Sequence, residues 1–251
     1  AHLEGFGGEE GVIKGKSELI RYQKKSGGLM FVQATDTKQI EMTQGLNRFV
    51  LNKNIKRLRI ENNSEMLSIS GPEGAIDCKI IGDYNVPNII AAIEIGIYFK
   101  VPWMKIKTAI ECYQPNMNRS QVIKRDMYYI IMDAYNANPS SMVAALENFS
   151  KLKTGLTSTI ILGDMFELGK ESKREHQDIL NRAYKLNFDN IYLVGPNFEE
   201  IQFCDKQIKS FPSYEALENF LINNPPETGR ILIKGSRGMA LERLLEKVFV
   251  S

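Results

Sequence analysis

Two rhythms of apolar residues divide the chain. From Gln121 onward, short apolar runs alternate with stretches whose apolar residues recur at helical spacing. This pattern predicts a strand at 121–124, strand 128–133 with helix 139–152, strand 157–162 with helix 172–186, strand 190–194, helix 213–223, and strand 230–234 with helix 238–249. Runs such as Tyr128-Tyr-Ile-Ile-Met-Asp133 lack polar alternation, as expected of central parallel strands covered on both faces. Strand–helix alternation at this spacing implies right-handed crossovers and an α/β fold with a mostly parallel, doubly wound, Rossmann-like sheet.

The first half is more mixed. Residues 9–26 read as a helix, with Glu9 and Glu10 in its first turn, Lys24 and Lys25 in its last, and Gly27-Gly28 closing it. A strand at 29–33 and a helix at 38–50 follow. Short strands are predicted at 57–60, 66–70 and 75–81, separated by Asn62-Asn63 and Gly71-Pro72 turns, and then helices at 85–98 and 102–112. Periodicity lapses between Tyr113 and Ser120, which marks an interdomain linker.

Composition narrows the function classes. The chain has 251 residues and 43% hydrophobic content, enough for one large or two ordinary domains. Its 32 basic and 30 acidic residues give a net charge of only +2, so no nucleic-acid face is expected. Cys78, Cys112 and Cys204 lie far apart, and an odd number argues against a disulfide framework and for a reducing cytoplasm. The longest apolar stretch, Ile89 to Phe99, is interrupted by Glu94 and too short to span a bilayer, so no membrane insertion is expected. The chain opens on Ala1 with functional-looking polar residues at once, and reads as part of something longer.

Three polar turns fall at the carboxyl edge of the predicted sheet, where open α/β folds bind ligands. In the first, Asn138 suits a helix N-cap and Pro139 the first helical position, whereas capping gives no reason for Asp133, Tyr135 and Asn136. A ligand site and a well-capped turn both remain open. In the second, Gly163-Asp-Met-Phe-Glu-Leu-Gly169, Asp164 and Glu167 are candidates to bind an ammonium or are simply solvated, and His176 in the following helix reads as surface. In the third, Lys234-Gly-Ser-Arg-Gly238, Ser236 and Arg237 suit an anion such as a carboxylate, against the alternative of a Gly-containing turn with a surface Arg. Elsewhere, His2 is a weak metal-ligand candidate, Lys16 cannot ligate metal as an ammonium, and Asn85 and Asn88 open a helix with capping as the plainer reading.

Taken in order, several motifs resemble the Mur ligases. They are Ala1-His-Leu-Glu-Gly-Phe-Gly, Gly15-Lys-Ser-Glu18, Asn85-Val-Pro-Asn-Ile-Ile-Ala-Ala92, Asn118-Arg119, Asp133-Ala-Tyr-Asn-Ala-Asn-Pro, Leu162-Gly-Asp-Met-Phe-Glu-Leu-Gly169 and Lys234-Gly-Ser-Arg237. The similarity is greatest to the branch that joins D-alanyl-D-alanine to UDP-N-acetylmuramoyl-tripeptide in peptidoglycan synthesis. It implies that residues 1–117 are the last part of a central ATP-binding domain and 118–251 a C-terminal Rossmann-like domain. The family's Gly-Lys-Thr phosphate loop and metal-binding Glu are not found in this sequence. A chain without them is expected to be inactive alone.

The resemblance also implies site roles. His2 and Lys16, the latter as a carbamate, would hold Mg2+, because a carbamate turns a cationic amine into an oxygen ligand suited to a hard cation. Asn85, Asn88 and Arg119 would approach ATP, Asp133 would bind its ribose, and Tyr135, Asn136 and Asn138 would line the same wall. Some relatives carry lysine where Tyr135 stands. Asp164, Glu167, Lys234, Ser236 and Arg237 would face the incoming dipeptide. The expected protein is a monomeric cytoplasmic ligase using ATP and Mg2+. The alternatives are a ligase of the folylpolyglutamate or cyanophycin synthetase type, and a non-catalytic nucleotide-binding module.

Overall fold

The computed structural model describes residues 3–52, 59–61, 66–71, 74–152 and 155–250. The chain divides into two compact units, His2–Gln114 and Pro115–Ser251.

In the first unit, α1 (Leu3–Phe6) precedes α2 (Glu9–Ser26), which ends as expected at Gly27, where a φ of 69° lets the Gly27 N–H reach Gln23 O. The strand β1 (Met30–Gln33) leads to α3 (Thr37–Met42), whose N-cap Asp36 accepts the Gln39 N–H. The helix expected over 38–50 therefore stops early. Gly45 turns the chain at a φ of 78°, and Arg48–Leu51 becomes β2, parallel to β1 in the register Met30↔Arg48. Pairing with β1 overrides a local pattern that fits either element. An antiparallel sheet follows from β3 (Arg59–Glu61), β4 (Ser68–Gly71) and β5 (Gly74–Asp77). The expected strand at 75–81 ends four residues early, and Cys78 and Ile80 continue beside Leu67 through single backbone hydrogen bonds. The helices α4 (Val86–Tyr98) and α5 (Trp103–Cys112) close the unit. Ile69, Ile76, Ile89, Ile90, Ile93 and Ile106 form its core, each contributing about 2 kcal/mol by leaving water.

The second unit is one six-stranded sheet. Its strands are β6 (Gln121–Lys124), β7 (Tyr128–Asp133), β8 (Thr157–Gly163), β9 (Asn190–Val194), β10 (Ile208–Phe211) and β11 (Gly229–Lys234), in the spatial order β10-β9-β8-β11-β7-β6. All neighbours are parallel except β6 on β7. The helices α6 (Pro139–Lys151) and α7 (Ser172–Lys185) pack together, whereas α9 (Tyr214–Asn223) contacts α10 (Leu244–Lys247); the short α8 (Pro196–Glu199) follows β9. The expected doubly wound architecture is present.

Strand alternation splits the core accordingly. Ile130, Met132, Ile161, Ile231 and Ile233 meet Leu217, Leu221, Leu241, Leu244 and Phe249 on one face. Ile131, Ile160, Leu162 and Leu232 take the alternate positions of β7, β8 and β11 and are buried too, as are Met142, Leu146 and Phe149 of α6 and Ile179 of α7. Two expectations fail here. β10 and α8 were not anticipated, each being only four residues long. The helix expected at 238–249 is two 3-10 turns, 237–239 and 241–243, and then α10, because Ala240 adopts a φ of 48° that sends Leu241 and Leu244 into the core. No helix among the described residues is long and apolar enough to cross a membrane.

Candidate functional site

The topology places β11 between β7 and β8, so the turns leaving these three strands lie side by side at the carboxyl edge. Asp133 and Lys234, the last residues of β7 and β11, are cross-strand partners. Lys234 Nζ donates to Asp133 Oδ2 at 2.6 Å and to Asn136 O at 3.2 Å, and the lysine is 1% exposed. Asp133 Oδ1 accepts the Ser120 N–H at 2.9 Å and the Ser120 hydroxyl at 3.3 Å. Lys234 was expected to face a substrate. It is instead a buried counter-ion, because β11 delivers its side chain against the Asp133 carboxylate.

Ser120 reaches Asp133 through a left-handed turn in which Met117, Asn118 and Ser120 all have positive φ. Such residues cost about 1 kcal/mol or more each. Asn118 O accepts the Tyr135 N–H, and the turn sets the Arg119 guanidinium 3.7 Å above the Tyr135 ring. Arg237, from the turn after β11, stands 5.2 Å from the centre of the same ring. Hydrogen bonding and charge from Arg119, then from Arg237, hold the Tyr135 phenol below its usual range. Two cations and a phenol thus converge at the rim beside Asp133. Asn136 is exposed there.

Asn138 is occupied differently. Its Oδ1 accepts the Ser141 N–H and the Ser140 hydroxyl, while its own N–H donates to Ser141 Oγ, forming a capping box for α6. The capping expectation is met.

The turn after β8 departs most from expectation. Asp164 is fully buried, with Oδ2 accepting from the Asn197 N–H and Nδ2 and Oδ1 from the Phe198 N–H. Gly195, at a φ of 120°, leaves room for it: a Cβ there would come within 2.5 Å of Asp164 Cγ. Asp164 is therefore neither solvated nor presented to a ligand; the orphan donors at the start of α8 claim it. Glu167 is exposed at a φ of 63°. His176, expected at the surface, is fully buried and accepts the Met165 N–H at Nε2. The signal was present, since His176 shares a helical face with Ile179, Leu180 and Ala183. Ser236, 4% exposed, accepts the Phe166 N–H at Oγ and donates its own N–H to Asp164 O. Asn197 and Ser120 carried no comparable sequence signal.

In the first unit, Lys16 is an exposed residue of α2 beside a groove of about 470 Å³ lined by Ile13, Ile20, Met30, Phe31 and Met42. His2 lies outside the described residues. Asn85 directs Nδ2 to Ile81 O and accepts from Asn88 Nδ2 at 3.2 Å, and makes no side-chain cap, so the capping reading fails for it. The 3-10 turn Asp83–Asn85 already enters α4, leaving the carboxamide free to bond backwards. Among the described residues no three His, Cys, Asp or Glu side chains form a metal cluster.

Comparison with known proteins gives the family of the chain. A model described as "Mur ligase middle domain" matches residues 1–96, and one described as "Mur ligase, glutamate ligase domain" matches 118–237. The UDP-N-acetylmuramoyl-tripeptide--D-alanyl-D-alanine ligase of Buchnera aphidicola is 30% identical over 99% of this chain and 56% of its own length. That of Bacillus subtilis is 27% identical over 100% of this chain and 57% of its own. The crystal structure of MurF from Acinetobacter baumannii superposes with a TM-score of 0.77 at 26% identity, covering 99% of this chain and 57% of that one. The chain thus spans just over half the length of these relatives. Two Mur ligase domain matches, at residues 1–96 and 118–237, with relatives alike over nearly the whole chain, show that the chain belongs to the Mur ligase family.

Proposed function

We propose that the protein is an ATP-dependent amide ligase that joins D-alanyl-D-alanine to UDP-N-acetylmuramoyl-tripeptide in peptidoglycan synthesis. The observation that carries this reading is the convergence of Arg119, Arg237 and Tyr135 beside Asp133 at the carboxyl edge of the sheet. Paired guanidiniums suit an anionic substrate group. The relatives are named for this reaction, which supports the substrate pair.

A carboxylate is a poor electrophile, so the reaction begins with its phosphorylation by ATP to an acyl phosphate. The dipeptide amine then attacks the acyl carbon, phosphate leaves with the C–O electron pair, and the amine proton is lost to water or a base. In this reading the remaining acceptor capacity of Asp133 meets the ribose hydroxyls, with Asn136 and Tyr135 on the same wall. A carboxylate offers roughly four lone-pair directions, and three are used by Ser120 and Lys234. Arg119 and Arg237 neutralise and orient the phosphoryl group and the dipeptide carboxylate, which is positioning work. Glu167 and Ser236 border the dipeptide.

Magnesium, when bound, supplies charge neutralisation at the transferring phosphoryl. The described residues do not by themselves form its site, and Lys16 fits only as its carbamate. We assign the protein to the cytoplasm as a monomer.

The test is ATP-dependent phosphate release by the full-length protein, with D-alanyl-D-alanine compared against glutamate and other single amino acids. The dipeptide should dominate, and Arg119→Ala and Arg237→Ala should each lower kcat/KM by about tenfold or more. Preference for a single amino acid would move the protein to another branch of the superfamily. Nucleotide binding without phosphate release would make it a non-catalytic module.

A further inference from the structure

His176 serves no step of the reaction just described, yet its surroundings are unusually specified. Met165 N can only donate and Ser172 O can only accept, at 3.0 Å from Nε2 and 2.7 Å from Nδ1 respectively. The ring must therefore carry its proton on Nδ1 and leave Nε2 bare. Burial pushes the imidazole below its usual range, in favour of that neutral form. The Phe198 ring packs edge-on at 4.6 Å and fixes the plane.

What the ring holds is the middle of a clamp. Ser236 N donates to Asp164 O at 3.1 Å, and Phe166 N donates to Ser236 Oγ at 2.9 Å. The Phe166 ring lies so close to Gly238 that a Cβ there would meet it at 2.8 Å. The turn after β8 thus grips the turn carrying Arg237 on both sides of the Met165 amide, and His176 pins that amide from behind.

We infer that His176 is a positioning residue for the incoming amine substrate, acting through the Met165 amide and Ser236 to fix where Arg237 stands. This rests on the ligase reading above. No chemistry is assigned to the imidazole; it holds a backbone donor that would otherwise be buried without a partner.

The experiment uses the full-length protein, with phosphate release measured against each substrate in turn. His176→Phe keeps a ring against Phe198 but has no acceptor, whereas His176→Gln can accept from Met165 and donate to Ser172 O. His176→Phe should raise KM for D-alanyl-D-alanine about tenfold, because a displaced Arg237 holds the dipeptide less well in ground and transition state alike. KM for ATP and the tripeptide substrate should stay within about twofold, and His176→Gln within about threefold of wild type throughout.

An unchanged dipeptide KM in folded His176→Phe, a fall in kcat alone, or equal impairment by both variants would overturn the inference. If His176→Phe does not fold, hydrogen exchange decides. Saturating D-alanyl-D-alanine should slow exchange of the 164–167 amides in wild type and in His176→Gln, and no change would overturn the proposal. Absence of dipeptide-dependent turnover in wild type would instead sink the ligase reading itself.

Discussion

Replacing Lys234 by Met, and Asp133 by Asn, should destabilise the second unit unequally. The two side chains are 2% and 16% exposed and 2.6 Å apart. Breaking a buried pair costs about 3–5 kcal/mol, because the surviving charge loses its partner while staying out of water. Lys234→Met leaves a carboxylate that water can reach and that Ser120 still serves, so about 3 kcal/mol at the lower end applies. Asp133→Asn leaves the ammonium facing a neutral carboxamide whose single oxygen cannot serve both Lys234 and the Ser120 N–H, so the upper end, about 5 kcal/mol, applies. The double variant should be more stable than Asp133→Asn alone. For a domain of this size about 3 kcal/mol lowers Tm by roughly 10 °C. The one Trp, Trp103, lies in the first unit, so its fluorescence reports the wrong transition. Hydrogen exchange of peptides covering β7 and β11 during urea unfolding reports the right one. If Asp133→Asn costs no more than Lys234→Met, or both stay within about 1 kcal/mol of wild type, the buried-pair argument is wrong.

Three further outcomes follow from the same geometry. Asn138→Ala removes the capping box of α6 and should cost about 1 kcal/mol in urea unfolding, with Asn138→Gly costing less; equal loss in both would argue against capping. Gly195→Ala faces both a φ of 120° and the Asp164 carboxylate, and should cost roughly 2 kcal/mol or more; a thermal melt matching wild type would contradict the close approach. Because burial depresses the His176 pKa against the opposing pull of the Ser172 carbonyl, then of Asp164 and Glu175, the folded protein binds fewer protons than the unfolded chain below the ordinary value of 6.5. Stability from this group is therefore complete above pH 6.5 and declines as pH falls below it towards the folded pKa, and a urea series in wild type and His176→Gln should show that extra decline only in wild type.

Much of the fold was legible because central parallel strands and their helices carry long, strong apolar patterns. β7 with α6 and β8 with α7 sit within a residue or so of their expected bounds. What was not legible is set by contacts between distant residues. β2 looked helical until it had β1 to pair with, and the C-terminal helix breaks at Ala240 because Leu241 must enter the core. Site residues divide in the same way. A polar residue at a strand end announces itself, but the sequence does not say whether it faces solvent or a buried partner. Lys234, Asp164 and His176 all face inward, each matched by a partner 11 to 101 residues away.

That division separates the residues that build the site from those that remain to act in it. Lys234 ties the turn after β11 to the one after β7 through Asp133 and Asn136; Ser236 ties it to the turn after β8; Asp164 ties that turn to Asn197 after β9. The insertion of β11 between β7 and β8 makes it the one strand able to join both neighbours. Each tie commits polar atoms to the scaffold, leaving Asp133 one acceptor direction and Asn136 its side chain. Arg119, Asn136, Glu167 and Arg237 are exposed, with the half-buried Tyr135 among them. Substitutions in this outer set should change kinetics with stability nearly intact, whereas those in the inner set should lower stability first and impair catalysis through displacement of Arg237. Measured together, the two sets should fall into separate groups on a plot of ΔΔG‡ against unfolding ΔΔG, and a single continuous trend would mean that scaffold and chemistry are not separable here.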